Sequence, residues 1–198
     1  RDVALAIELF TEGSLNTFAK PTNADTNSRI LCYDIRDLGK QLLPVGMLVV
    51  LDSVFNRIIR NRRLGRSTWV YIDEIYLLFQ HEYSANFLFT LWKRVRKYGA
   101  CCTGLTQNVD DLLQSHTART MLANSEFLVM LNQASTDRAE LARLLNISDN
   151  QLSYITNVDF GRGLIKCGSA IVPFMDHFPK NNLYRLMSTK PSEADAAV

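Results

Sequence analysis

Residues Thr68 to Ile72 (Thr-Trp-Val-Tyr-Ile) form a short β-branched and aromatic run that stops abruptly at two carboxylates, Asp73 and Glu74. Such a run is too short for a helix and too apolar for a loop. It predicts a buried strand with two acids at its carboxyl end. Its neighbours decide the class. After Pro44, Val45 to Arg63 repeats apolar residues at three and four and ends in basic residues and Gly65, as a helix aligned with its own dipole does. Phe87 to Tyr98 predicts a second helix with Phe87, Leu88, Leu91 and Val95 inward, closed by Gly99, and Ala100 to Leu105 predicts the next strand. Strands alternating with helices call for an α/β fold: a mostly parallel sheet with helices on both faces and chemistry beyond the carboxyl ends of the strands.

The flanks fill in the outline. Val3 to Thr11 predicts a short helix stopped by Gly13, Lys20 to Ser28 a loop, and Arg29 to Asp34 a first strand. Leu112 to Leu122 predicts short helical turns, Phe127 to Leu131 a strand, and Thr136 to Leu145 a helix capped by Ser135 or Thr136. Ser148, three residues before Gln151, is a capping signature for one more short helix. Leu164 to Cys167 and Ala170 to Phe174, separated by Gly168 and Ser169, predict an antiparallel hairpin closing one edge of the sheet. Residues 191–198 are expected to be a frayed tail.

Composition excludes little. The 198 residues suffice for one sizeable core, and a net charge of +2 argues against a surface that attracts nucleic acid everywhere. A denser basic group, Arg57, Arg60, Arg62, Arg63 and Arg66, reads either as a solvated helix face or as a nucleic-acid contact. Cys32, Cys101, Cys102 and Cys167 show no metal-ligand spacing and read as small core residues in a reducing cytosol. No run approaches the ~18 apolar residues of a membrane span, so a soluble chain is expected. The chain starts without methionine and within a helical pattern, from which it is expected to be a piece of something longer.

The acids at the strand end have the form of a Walker B motif. Asp73 suits Mg²⁺ held through its water shell, since that ion keeps several waters, and Glu74 suits orienting and deprotonating an attacking water in phosphoryl transfer. Alone, the pattern equally describes a strand end with solvated carboxylates. Gln107, at the carboxyl end of the next predicted strand, offers an amide for a terminal phosphate or its water, or simply caps a loop. Arg96, eleven residues before Gln107, offers a guanidinium to a neighbouring subunit's nucleotide, or satisfies a helix dipole.

The order is more specific than any member: a strand with Asp-Glu, a helix ending in Arg-Lys-x-Gly, a strand ending in Thr-Gln. It resembles the FtsK/HerA branch of RecA-like P-loop motors. The text Trp69-Val-Tyr-Ile-Asp-Glu-Ile-Tyr-Leu-Leu-Phe, Leu91-Trp-Lys-Arg-Val-Arg-Lys-Tyr-Gly, Thr103-Gly-Leu-Thr-Gln-Asn-Val-Asp-Asp-Leu-Leu and Met130-Leu-Asn-Gln-Ala resembles the conjugative-transfer traffic ATPases of type IV secretion, the VirB/TraE type in its Gram-positive form. The resemblance implies that residues 1–190 are the C-terminal part of a RecA-like ATPase domain, with 1–28 a helix and loop. It implies Asp73 and Glu74 as the Walker B pair, Gln107 as sensor, Arg96 as trans-acting finger, and ATP with Mg²⁺ as cofactors. Arg162 is a second choice near the nucleotide, or a residue of the turn entering the hairpin. Implied partners are further copies in a hexamer, the membrane components of a type IV secretion system, and the coupling protein. The implied place is the cytoplasmic face of the bacterial plasma membrane. DNA is left open by the family and is not indicated by the charge.

One departure is large. No Gly-x-x-x-x-Gly-Lys-Ser/Thr occurs in these residues, since Gly39-Lys40 is followed by Gln41 and lacks the upstream glycine. The fragment alone is therefore expected to be inactive. Alternative readings are a DNA-pumping coupling protein of the same superfamily and a non-catalytic RecA-like interaction module.

Overall fold

The computed structural model describes residues 7, 8, 10–13, 16–23 and 25–188. It divides into two compact units at the junction of Asn108 and Val109.

The first unit is built on α1 (Gly39–Arg63), β1 (Thr68–Ile72), α2 (Glu82–Arg94) and β2 (Ala100–Gly104). β1 and β2 are parallel, with Thr68 opposite Ala100 and Ile72 opposite Gly104. Strand alternation divides the side chains between two faces. On one face Val70, Ala100 and Cys102 pack with Ile58 and Phe55 of α1 and Phe87 and Leu91 of α2. Phe55 meets Phe87 and Tyr98 edge-on, with ring centroids 6.1 and 5.6 Å apart. Burying side chains such as Ile58 and Leu91 stabilises the unit by about 1.5–3 kcal/mol each. On the other face Trp69 and Tyr71 are 64% and 66% exposed. β1 is thus half-buried on one side and open on the other, whereas its sequence predicted a buried strand.

α1 begins earlier than expected and carries Pro44 inside it. Pro44 is the sixth residue of the helix, so its missing N–H forfeits one bond, the one that would have gone to the Lys40 carbonyl; its place near the amino end leaves little helix upstream to be disturbed. The expectation that no segment approaches a membrane span also fails, since Gln41–Arg63 is long and apolar enough to cross one by length and composition. Asp52, Asn56 and Arg57 break any continuous apolar run, but the Leu, Val and Ile residues around them keep the mean hydropathy high. In this fold the helix packs on β1 and β2 through Ile58.

The strand expected at Arg29–Asp34 does not form; the chain there is bends and irregular backbone, followed by a 3₁₀ turn, Arg36–Leu38. Side chains organise the end of this stretch and the loop before it. Asp34 accepts from the backbone N–H of Arg36 at 3.1 Å and from its guanidinium, which holds the Asp34 carboxyl down at about 2. Arg57 donates to the carbonyls of Thr26 and Ser28, and Arg60 donates to Asn27 Oδ1 at 2.9 Å. Arg62 lies over the Tyr98 ring, 5.3 Å from its centroid. Three of the basic residues therefore bind this chain's own loop and core.

Ile7, Glu8, Phe10 and Thr11 are helical and Gly13 follows their last turn, as expected; the rest of that helix and the tail 191–198 lie outside the described residues. Cys32, Cys101 and Cys167 are exposed, contrary to their reading as core residues, and Cys102 alone of the four packs against a core.

The second unit contains α3 (Val109–Gln114), α4 (His116–Ala123), β3 (Phe127–Met130), α5 (Ser135–Leu145), α6 (Asp149–Leu152), β4 (Arg162–Cys167), β5 (Ala170–Met175) and α7 (Asn182–Met187). The predicted hairpin is present, but it does not close an edge of the parallel sheet: β3 joins it, also antiparallel, in a three-stranded sheet of its own, with Met130 opposite Leu164. Leu113, Met130, Leu141, Leu145, Ile155 and Leu164 make its core. Ala134, not Ser135 or Thr136, occupies the N-cap of α5. The capping box forms as read: the Ser148 hydroxyl accepts from the Gln151 N–H, and the Gln151 side chain accepts from the Ser148 N–H.

Candidate functional site: the carboxyl ends of the parallel strands

β1 and β2 end side by side, and the chain beyond each is tied to the other. Leu105 donates its N–H to the Ile72 carbonyl at 2.8 Å and accepts from the Ile75 N–H at 2.9 Å. One residue thus brackets Asp73 and Glu74 on both sides. To fit between those two bonds Glu74 takes the left-handed conformation, φ 46° and ψ 50°. A side chain with a Cβ adopts that region at a cost of roughly 1–2 kcal/mol, so the surrounding bonds must hold it there.

Packing enforces the same turn. Ile75, 5% exposed, sits against β2 where Gly104 has no side chain; a Cβ there would lie 2.5 Å from Ile75 Cδ1. The carboxylates are held in turn. Asp73 Oδ1 accepts from the Glu74 N–H at 3.1 Å, and Glu74 Oε2 accepts from the Gln107 N–H at 3.4 Å. Gln107 sits in a tight turn closed by Thr106, whose Oγ1 accepts from the Asn108 N–H at 3.1 Å.

Asp73, Glu74 and Gln107 therefore come together, as their positions in the sequence predicted. Asp73 and Gln107 are exposed and Glu74 is partly buried, so the three form an open rim accessible from solvent. Arg96 does not join them. It is exposed in the 3₁₀ turn Val95–Tyr98 before β2, at the amino end of that strand. The whole strand, about 17 Å at about 3.3 Å per residue, separates it from the acids. Arg162 belongs to the second unit, opens β4 and pairs with Asp159 at 3.7 Å, the turn role that its sequence context allowed.

The sequence singles out neither Leu105 nor Gly104, and marks Thr106 only as half of the Thr-Gln strand end, with no role of its own. Leu105 acts through its main chain and leaves no side-chain signal. Thr106, two residues before Asn108, carried one: a hydroxyl that hydrogen-bonds backbone two residues on.

Mg²⁺ and a nucleotide fit this donor set in one respect. Among the described residues no group of three or more His, Cys, Asp or Glu could hold a metal ion. A hydrated Mg²⁺ needs no such group, because it is held by one or two carboxylates together with phosphate oxygens and waters. Asp73, exposed at the strand end, can supply that carboxylate.

Comparison with known proteins agrees with the fold. The structure of VirB4 of Thermoanaerobacter pseudethanolicus matches with a TM-score of 0.78, at 24% identity, over 92% of this chain and 50% of that one. The chain thus spans about half the length of the protein it matches, and shares its fold. No curated protein matches. The TraG P-loop domain family matches residues 24–162, a stretch that contains β1, β2 and the acids between them. Since the match covers more than two-thirds of the 198 residues, the chain belongs to the TraG P-loop domain family.

Proposed function

We propose that this chain is the Walker B part of a motor ATPase that couples ATP hydrolysis to assembly of a transfer apparatus, or to substrate passage, in conjugation and type IV secretion. The observation that carries the reading is the clamp of Leu105 on Asp73 and Glu74, which fixes two acids at the carboxyl rim of a parallel sheet. In such sheets ligands bind at that rim.

Each residue has a role in the proposal. Asp73 holds Mg²⁺ through water, and Glu74 orients the attacking water and takes its proton as the oxygen bonds to the γ-phosphorus. The bridging oxygen leaves with ADP, and Gln107 hydrogen-bonds the terminal phosphate. Bound Mg²⁺ supplies charge neutralisation on the phosphate oxygens. Arg96, exposed and a strand's length from the acids, acts on the nucleotide of a neighbouring copy in a hexamer. The phosphate-binding loop, of which these residues contain no Gly-x-x-x-x-Gly-Lys-Ser/Thr, is supplied by sequence outside them. Membrane components of the secretion system and its coupling protein are the proposed partners, at the cytoplasmic face of the membrane. Arg57, Arg60 and Arg62 are turned to the chain's own groups, which favours this reading over a direct DNA contact at the basic run.

The test uses a longer protein in which this sequence accompanies a phosphate-binding loop. Glu74→Gln there lowers ATP turnover by about 10²–10⁴-fold while nucleotide binding persists. Unchanged turnover removes Glu74 from its role. Turnover by the 198-residue chain alone removes the need for an external loop.

A further inference from the structure

Resting on the reading of Glu74 as the base, a second residue of this corner acquires a task. Among the described residues the Glu74 carboxylate is reached by one main-chain donor, the Gln107 amide, at 3.4 Å. A backbone amide points where the turn around it sends it. That turn is closed by Thr106, whose Oγ1 accepts from the Asn108 N–H at 3.1 Å and donates to the Asn108 carbonyl at 3.2 Å. Both bonds span Gln107, so the peptide carrying its N–H is pinned on each side. The upstream end is pinned as well, because Leu105 is bonded to Ile72 and Ile75.

We propose that Thr106 is a positioning residue, whose hydroxyl closes the turn that aims the Gln107 amide at Glu74 and so keeps the carboxylate at the strand rim. Its counterpart lies in the backbone of Glu74, whose left-handed conformation leaves the side chain one bonded direction among the described contacts. Without the hydroxyl the turn relaxes, the amide swings away and the carboxylate samples solvent. Near-attack geometry is sensitive to displacements of an ångström, so the chemical step suffers while nucleotide affinity does not.

The test has two readouts. In the 198-residue chain, hydrogen exchange at the Gln107 amide is followed by NMR. In the wild type the Glu74 carboxylate protects that amide, and Glu74→Ala speeds its exchange. Thr106→Val speeds it too, while Thr106→Ser, which keeps the hydroxyl, retains the protection. A Thr106→Val chain that exchanges like the wild type overturns the proposal. So does a Thr106→Ser chain that loses the protection, since the methyl group would then be responsible; this arm decides the matter even if the valine variant does not fold.

In the longer, loop-containing protein Thr106→Val lowers kcat by about tenfold or more with KM for ATP within about twofold, and Thr106→Ser stays near the wild type. A change in KM alone overturns the proposal. If Glu74→Gln leaves turnover intact while the Gln107 amide exchange behaves as stated, the ATPase reading fails and the positioning of the carboxylate stands.

Discussion

The Gln107 amide donates to Glu74 Oε2 across 3.4 Å, which joins the ends of two adjacent parallel strands through residues 33 positions apart. The bond is long for an N–H···O pair, so it contributes little on its own. The backbone of Glu74 is held by the Leu105 clamp, against the cost of its left-handed conformation, and the Gln107 amide gives the carboxylate its direction.

That cost predicts an ordering of variants. Glu74→Ala and Glu74→Gly both remove the carboxylate, but only glycine occupies φ 46° without strain. Glu74→Gly is therefore expected to be the more stable by about 1 kcal/mol. Both tryptophans, Trp69 and Trp92, lie in the first unit, so urea unfolding followed by tryptophan fluorescence reports on the right part of the chain. Equal midpoints for the two variants, or a lower one for glycine, refute the strain.

A second prediction concerns the floor of the same corner. Gly104→Ala places a Cβ 2.5 Å from Ile75 Cδ1 and 3.2 Å from its Cγ2, and Ile75 is too buried to swing clear. Overpacking of this kind costs about 1–3 kcal/mol. Ile75→Ala makes room, so the double variant should cost less than the sum of the singles by about 1 kcal/mol. Additive losses in the same fluorescence assay rule out the contact as the cause.

The part of this arrangement that could be read in the sequence follows from which groups carry it. Asp73, Glu74 and Gln107 were found because strand alternation and the parallel α/β order place strand ends together, and side chains announce themselves. The clamp by Leu105 was not, since a main-chain bond leaves no mark on residue identity. Arg96 was correctly assigned to the end of a helix, yet only the direction of β2 reveals that it lies at the opposite end of the strand from the acids. The missing strand at Arg29–Asp34 shows the limit of local propensity: Asp34 turns back on Arg36, and the Ser28 carbonyl just before the segment is taken by Arg57, 29 residues on. In the second unit Ser148 and Gln151 were legible because a capping box is local.

That box gives the third prediction. Ser148→Ala removes the hydroxyl that accepts from the Gln151 N–H and costs about 1 kcal/mol. Gln151→Ala removes more, because the Gln151 amide also donates to the Ile171 carbonyl on β5 at 3.2 Å. Amide hydrogen exchange in β4 and β5 should accelerate more in Gln151→Ala than in Ser148→Ala. The reverse order would show that the side chain does not tie α6 to the sheet.

Cys101 and Cys102 offer the last prediction, because adjacent positions on β2 give them opposite environments. Cys101 is exposed on the open face, while Cys102 packs with Val70 and Phe87 under α1 and α2. Burial pushes the Cys102 thiol up from its ordinary value of 9.0 to about 12, with the neighbouring Cys101 adding in the same direction. The thiolate is the reactive form, so iodoacetamide at pH 8–9 should label Cys101 well before Cys102, as read by peptide mass spectrometry. The stability consequence has a definite sign. A group whose pKa is raised by folding contributes stability that is present in full below the unfolded value, near pH 9, and is lost as the pH climbs toward 12. Cys102→Ala, with nothing to titrate at that position, should lose less stability than the wild type between pH 9 and pH 12. Parallel stability curves across that window, or simultaneous labelling of the two thiols, would mean that Cys102 is not buried against the helices.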